Sequence, residues 1–279
     1  MASKRRPKPE TNAEQRWVDA QVERMHERLV ELGDPERAAK IRDYLHSERV
    51  HLGVGQPDLR ATAREFQREL GPLDHDRMLA LVEQTWACEV YDRRALAVAL
   101  VERWKAQLVA ADLAWIERWL IESETWALVD WLAVPILGAL VEREPELAHP
   151  VLDRWALDSN FWLRRSAMLA LLVPLRGGGG EFERFAGYAI AMLPMTREAP
   201  AIARKFIDKT IGWILREVGR KRPALVRGFL DEHLAELAGL SVREAIKSLP
   251  AAEQAEWLAR FADEPRPRRP AKPKPAKPK

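Results

Sequence analysis

The sequence predicts an all-α protein, and three observations carry that expectation. Ala, Leu, Arg and Glu dominate while Val, Ile and Thr are sparse, a composition that favours helix over strand. Apolar residues recur at helical spacing along nearly every segment between the two ends, and no stretch sustains the alternation of a half-buried strand. Breaks between the periodic segments fall at helix stop and start signals: Gly71-Pro72, Glu144-Pro145, Gly177 to Gly180, Pro223 and Pro250.

In chain order, the first helix spans 13–32 and stops at Gly33. Asp34-Pro35-Glu36 is an N-cap followed by proline at the first helical position, and it opens a helix carrying Tyr44. His51 to Pro57 (HLGVGQP) reads as a loop, after which Asp58 caps the next helix. Further helices are expected at 74–88, 91–107, 112–122, 124–143, 146–157, 160–173, 181–193, 199–219, 223–236, 241–248 and 251–262. Short connections favour antiparallel neighbours. Helix pairs at a loose period of about 35–45 residues suggest an α-solenoid, which would form a curved domain with one long concave surface. A compact bundle is the other all-α arrangement.

The chain has 279 residues, 47% hydrophobic and 31% charged, so a soluble globular protein with a sizeable core is expected. Its net charge of +3 is unevenly placed: residues 1–10 carry +3 and residues 264–279 carry +6, which leaves −6 on 11–263. The expected organisation is therefore a basic tail over 1–12, a mildly acidic body over 13–263 and a Pro/Lys-rich basic tail over 264–279. Both tails are expected to be disordered, as solvated spacers or as loose tethers to a polyanion such as DNA. Cys88 is the sole cysteine, so no intrachain disulfide is possible and a reducing, cytoplasmic setting is expected. The basic start is followed by no apolar stretch of a signal peptide, and the longest apolar run, Leu132 to Val141, is about half of a membrane span.

Three helices hold side chains that a plain Leu/Ile stripe does not explain. In ETWALVDWLA (124–133), Trp126 and Asp130 lie four residues apart and share a face, while Leu128, Trp131 and Leu132 point toward neighbouring helices. A carboxylate beside an indole is costly to bury unpaired, so that face opens to water or onto a groove where a cation belongs. In NFWLRRS (160–166), Arg164 and Arg165 open an otherwise apolar helix. In IGWILRE (211–217), Trp213 and Arg216 share a face at a spacing of three, with Lys209 one turn before Trp213. Arg165 and Arg216 would suit phosphates by bidentate bonding, and Trp126 and Trp213 would suit sugar edges or a cationic ring. The competing reading is packing: most tryptophans at helical spacing are core, and Trp86, Trp104, Trp115, Trp119 and Trp155 are assigned there.

Other chemistries lack their residues. The six histidines are scattered without metal-ligand spacing, and a single cysteine makes no zinc site. There is no GxSxG elbow and no GxxxxGK[ST] loop, and Gly177 to Gly180 follows no strand, so it reads as a flexible linker. No metal, organic cofactor or nucleotide cofactor is expected.

TWALVDWLA, NFWLRRSAMLALL, IDKTIGWILREVG and SVREAIKSL, together with DPERAAKIRDYL and HLGV, resemble the successive signature segments of the AlkD-like DNA alkylation repair glycosylases. The resemblance spans about residues 30–250 and implies HEAT-like helical repeats around a concave DNA-binding groove. It further implies excision of N3- or N7-alkylated purines from double-stranded DNA, in base excision repair. It makes Asp130 the catalytic carboxylate, with Trp126 and Trp213 beside it. Arg165, Arg216 and Tyr44 are matched to positions that contact DNA, and Arg164 and Lys209 are added as neighbouring cations. Thr125 and Ala127 depart from the family pattern, where a second aromatic and an acid often flank the catalytic tryptophan. A monomer without membrane attachment, associated with the nucleoid, is expected. The alternative is a non-catalytic helical scaffold that binds damaged or branched DNA, or a protein partner.

Overall fold

The computed structural model of the chain describes residues 9–265, and the two expected tails lie outside them except at their inner ends. Among the described residues there is no strand, only an isolated parallel bridge between Val50 and Val90. The fold is all-α, as the composition predicts. By its internal contacts the chain divides into two compact units, Met1–Ala148 and His149–Lys279.

The first unit is built from α1 (Pro9–Glu31), α2 (Pro35–Leu45), α3 (Gln56–Leu70), α4 (His75–Trp86), α5 (Tyr91–Trp104), α6 (Leu113–Glu122), α7 (Trp126–Trp131) and α8 (Gly138–Arg143). Helix α1 begins at Pro9, inside the stretch expected to be tail. Helix α5 is the axis of the unit. Its run from Ala95 to Val101 is apolar on every side and almost wholly buried, and it packs against α1, α3, α4 and α7. A helix hydrophobic all round has to sit inside a core rather than on its surface. Trp86 and Trp119 stack beside it at 4.3 Å and 6° between planes, which places both in the core as expected. Asp34 caps α2 by accepting from Arg37 N at 3.0 Å, with Pro35 at the first helical position.

The second unit contains most of α9 (Pro145–Ala156), then α10 (Phe161–Leu169), α11 (Leu172–Gly177), α12 (Phe182–Glu198), α13 (Ala201–Gly219), α14 (Pro223–His233), α15 (Gly239–Ala245) and α16 (Ala251–Asp263). Here α13 is the hub, touching α10, α11, α12, α14 and α15. It crosses α15 closely at Gly212, where a Cβ would lie 2.6 Å from Glu244 Cβ and 2.7 Å from Ser241 O. Only a residue without a side chain admits that approach.

Three boundaries differ from expectation for identifiable reasons. The helix expected at 160–173 breaks after Leu169, because Pro174 has no N–H to continue it and is accepted only in the first turn of a new helix, α11. The helix expected to stop at 193 runs through Pro194 to Glu198, with Thr196 Oγ1 donating back to Met192 O at 2.7 Å. Gly177 to Gly180 is an organised helix end: Gly178 caps α11 with φ of 94° and Gly179 N donates to Pro174 O at 3.1 Å.

Candidate DNA-contacting surfaces

In the first unit, the turn that launches α7 is held from several sides. The carbonyl of Glu122, at the end of α6, accepts from Arg94 Nη1 at 2.8 Å and from Arg49 Nη2 at 3.3 Å. Two cations at a helix C-terminus satisfy a carbonyl the helix leaves open and complement its dipole. Arg49, whose side chain is 6% exposed, also donates to Glu124 Oε1 at 3.0 Å and Glu89 Oε2 at 2.9 Å. Glu124 sits in the left-handed region at φ of 57°, and extended Thr125 follows as the N-cap. The helix expected from Glu124 therefore starts two residues later, at Trp126. Arg49 itself is placed by the loop after α2, which Asp92 secures by accepting from Leu52 N at 2.6 Å and Val54 N at 2.7 Å.

On α7, Trp126 and Asp130 are one turn apart and both are half-buried, while Leu128, Val129 and Leu132 are enclosed. Tyr44, in the last turn of α2 and 71% exposed, meets Trp126 edge to face at 5.8 Å and 87°. The structure thus brings Tyr44, Trp126 and Asp130 into one neighbourhood of the first unit. Immediately after Asp130 the helix widens into a π-turn over Leu132–Leu137 around Pro135. Proline lacks the N–H that would bond Trp131 O and its ring would strike that carbonyl, and the wider turn accommodates both defects. Lys105 Nζ then donates to Pro135 O at 3.2 Å. A recess of about 430 Å³ between α2 and residues 48–51 is lined by Pro35, Arg42, Val50 and His51 and by none of the candidate side chains.

In the second unit the candidate residues gather along α13. Arg165 on α10 is 2% exposed, donates through Nη1 to Phe206 O at 2.9 Å and to Thr210 Oγ1, and lies over the Phe206 ring. Arg164, 5% exposed, donates to Asp158 O at 3.0 Å and closes the turn before α10; burial lowers its pKa. Arg165, expected to suit a phosphate, and Arg164, expected as a neighbouring cation, are therefore both enclosed, because the unbranched stems carry the guanidiniums to backbone carbonyls. Lys209 is exposed, and Trp213 and Arg216 are half-buried one and two turns further along the same stripe. Arg216 Nη1 donates to Glu244 Oε2 on α15 at 2.6 Å, and its Nε lies 3.5 Å from Glu217 Oε1. Glu244 and Glu217 were not singled out as partners by the sequence; the SVREAIKSL segment was the signal, and it supplies the residue that Arg216 grips.

Among the described residues, no group of three or more His, Cys, Asp or Glu side chains is placed to hold a metal ion. No described helix is long and apolar enough to cross a membrane.

Among the described residues the chain is helical, with Trp126 and Asp130 in one unit and the Lys209/Trp213/Arg216 stripe in the other. Residues 25–249 match the family model described as DNA alkylation repair enzyme. The chain belongs to that family. The solved structure of a predicted DNA alkylation repair enzyme from Enterococcus faecalis is similar at 20% identity and a TM-score of 0.68, covering 78% of this chain and 97% of that one. AlkD2 from Streptococcus mutans is similar at 18% identity and a TM-score of 0.53, covering 77% of this chain and 99% of that one. No curated protein sequence matches the chain.

Proposed function

We propose that the protein is a DNA glycosylase that releases positively charged N3- or N7-alkylated purines from duplex DNA. The observation that carries this reading is Asp130, one turn from Trp126 on α7 with Tyr44 against the indole, in a member of the DNA alkylation repair family.

The chemistry needs little more. A cationic alkylpurine is already a good leaving group, so no general acid has to protonate it. The C1′–N bond breaks with its electron pair passing to the base, which leaves neutral, and positive charge develops on the deoxyribose. A fixed carboxylate stabilises that charge and orients a water, whose oxygen bonds C1′ and whose proton is lost to the carboxylate or to solvent. The face of Trp126 adds attraction for the same charge. Lys209 and Arg216 are the phosphate contacts of this reading. Arg165, enclosed against Phe206 and Thr210, braces α13 behind them, and Arg164 holds the start of α10. Tyr44 braces Trp126 and borders the sugar. The protein acts as a monomer, and its product is an abasic site for the later steps of base excision repair.

The test is incubation of the purified protein with methylated duplex DNA, followed by chromatography of the free bases. Release of 7-methylguanine or 3-methyladenine supports the reading. Duplex binding without any free base would make the protein a binder of damaged or branched DNA instead.

A further inference from the structure

The contacts of Glu244 are those of a bound phosphate. Its carboxylate, with the side chain 18% exposed, takes Arg216 Nη1 at 2.6 Å on one oxygen and Lys247 Nζ on the other. Lys247 is 52% exposed, and exposed Lys209 lies near enough to act on the same group. The hydrogen bond from Lys247, reinforced by the charges of Lys247, Arg216 and Lys209, outweighs burial and holds the Glu244 carboxyl below its ordinary range. So the charge is present throughout the physiological range. Arg216 from α13 and Lys247 from the turn after α15 grip one anion beside the stripe that also bears Trp213, and Lys209 adds its charge. An arginine and a lysine donating to the two oxygens of one acid, with a further lysine charge acting on it, is a donor set that suits a DNA phosphate.

We propose that Glu244 occupies, in the DNA-free protein, the place a backbone phosphate takes between Arg216, Lys247 and Lys209, so that duplex binding has to displace it. The inference rests on the reading of α13 as a DNA-contacting surface and adds to it a residue that tunes affinity. Arg216 does not lose its bearings when Glu244 leaves. Glu217, whose side chain is 6% exposed, stays 3.5 Å from its Nε and is in turn paired with Arg220 at 3.2 Å. The two acids therefore have different tasks: Glu217 anchors the guanidinium from beneath and Glu244 competes for its outer edge. The use of such competition is discrimination. A repair protein meets undamaged phosphates everywhere, and a built-in rival lowers its residence on them.

The experiment is fluorescence-anisotropy titration of an undamaged duplex with wild type and Glu244→Gln across a range of salt concentrations. Glutamine keeps the shape and an acceptor oxygen but removes the charge. The variant is expected to bind about three- to fivefold more tightly at moderate salt, the upper scale of one partly exposed ion pair. Its log affinity should fall more steeply with log salt, by about one unit of slope, because one more phosphate is neutralised without a rival. Glu244→Ala, which keeps good helix propensity, should tighten binding in the same direction, and thermal melts of both variants check that the unit remains folded. Unchanged or weaker binding by the folded variants overturns the inference and makes Glu244 a support for Arg216. Wild type that binds no duplex at all would instead overturn the DNA-contacting reading of the surface.

Discussion

Gly212→Ala sets two opposing effects against each other at the α13–α15 crossing. Alanine inside a helix gains about 1 kcal/mol over glycine from propensity alone. Against it stands the space. The added Cβ would lie 2.6 Å from Glu244 Cβ, 2.7 Å from Ser241 O and 3.0 Å from Ser241 Cα. Carbon atoms prefer about 3.5–4.0 Å, so the helices would have to part by roughly 0.9 Å along the shortest line. Two of the three obstacles are backbone atoms that no rotamer change can move. Parting the helices also loads the bond from Ser241 Oγ to Asp208 O, now 2.8 Å, and the Arg216–Glu244 pair beside it. Overpacking of this kind costs about 1–3 kcal/mol, and an obstacle made of backbone belongs in the upper half of that range. The net expectation is a loss of about 1–2 kcal/mol after the propensity gain. Urea denaturation followed by tryptophan fluorescence should show a lower midpoint at unchanged slope. Gly187→Ala in α12 is the matched control: nothing lies within 4 Å of its added Cβ, so propensity acts alone and the midpoint should rise. A midpoint for Gly212→Ala at or above wild type would refute the argument that close backbone approach requires glycine there.

Other outcomes follow from the same geometry. Asp92→Ala strands the N–H groups of Leu52 and Val54 in a buried loop and should cost about 2–4 kcal/mol of stability, measured by denaturation. His75 is hydrogen-bonded to Asp112 at 2.9 Å, which raises its pKa above the ordinary 6.5 despite partial burial, with the charges of Asp112 and Asp76 helping. A raised histidine pKa gives stability that is complete below the unfolded value and is lost as pH climbs through the folded one. The stability gap between wild type and His75→Gln should therefore be widest below about pH 6 and close as the solution becomes alkaline; a gap that widens with pH would contradict the assignment. Arg216→Ala should weaken duplex binding across all sequences and lower the salt slope by about one, read by anisotropy.

Much of this molecule is written in local pattern. Asp34-Pro35 marks the start of α2, and the four-residue step from Trp126 to Asp130 places both on one face. Such features depend on neighbours within a turn or two, which periodicity reports. What the pattern hides are contacts between residues far apart in the chain. Arg49 reaches Glu124 across 75 residues, Arg165 reaches Thr210 across 45, and Arg216 reaches Glu244 across 28. An arginine that crosses such distances looks, in sequence, like one pointing at water. The π-turn at Pro135 is hidden for another reason. A proline within an apolar run reads as neither a stop nor a kink when the helix absorbs it by widening. The candidate acid was visible, then, but the Arg49 brace that fixes the turn before it was not.

The central claim is that the Asp130 carboxylate, through its charge, drives departure of a cationic base. Single-turnover release of 7-methylguanine from methylated duplex, compared between wild type and Asp130→Asn, tests it most directly. Asparagine keeps the shape and loses the charge, so the account predicts that release falls by about a hundredfold or more while duplex affinity is retained. Release by Asp130→Asn at the wild-type rate would contradict the account.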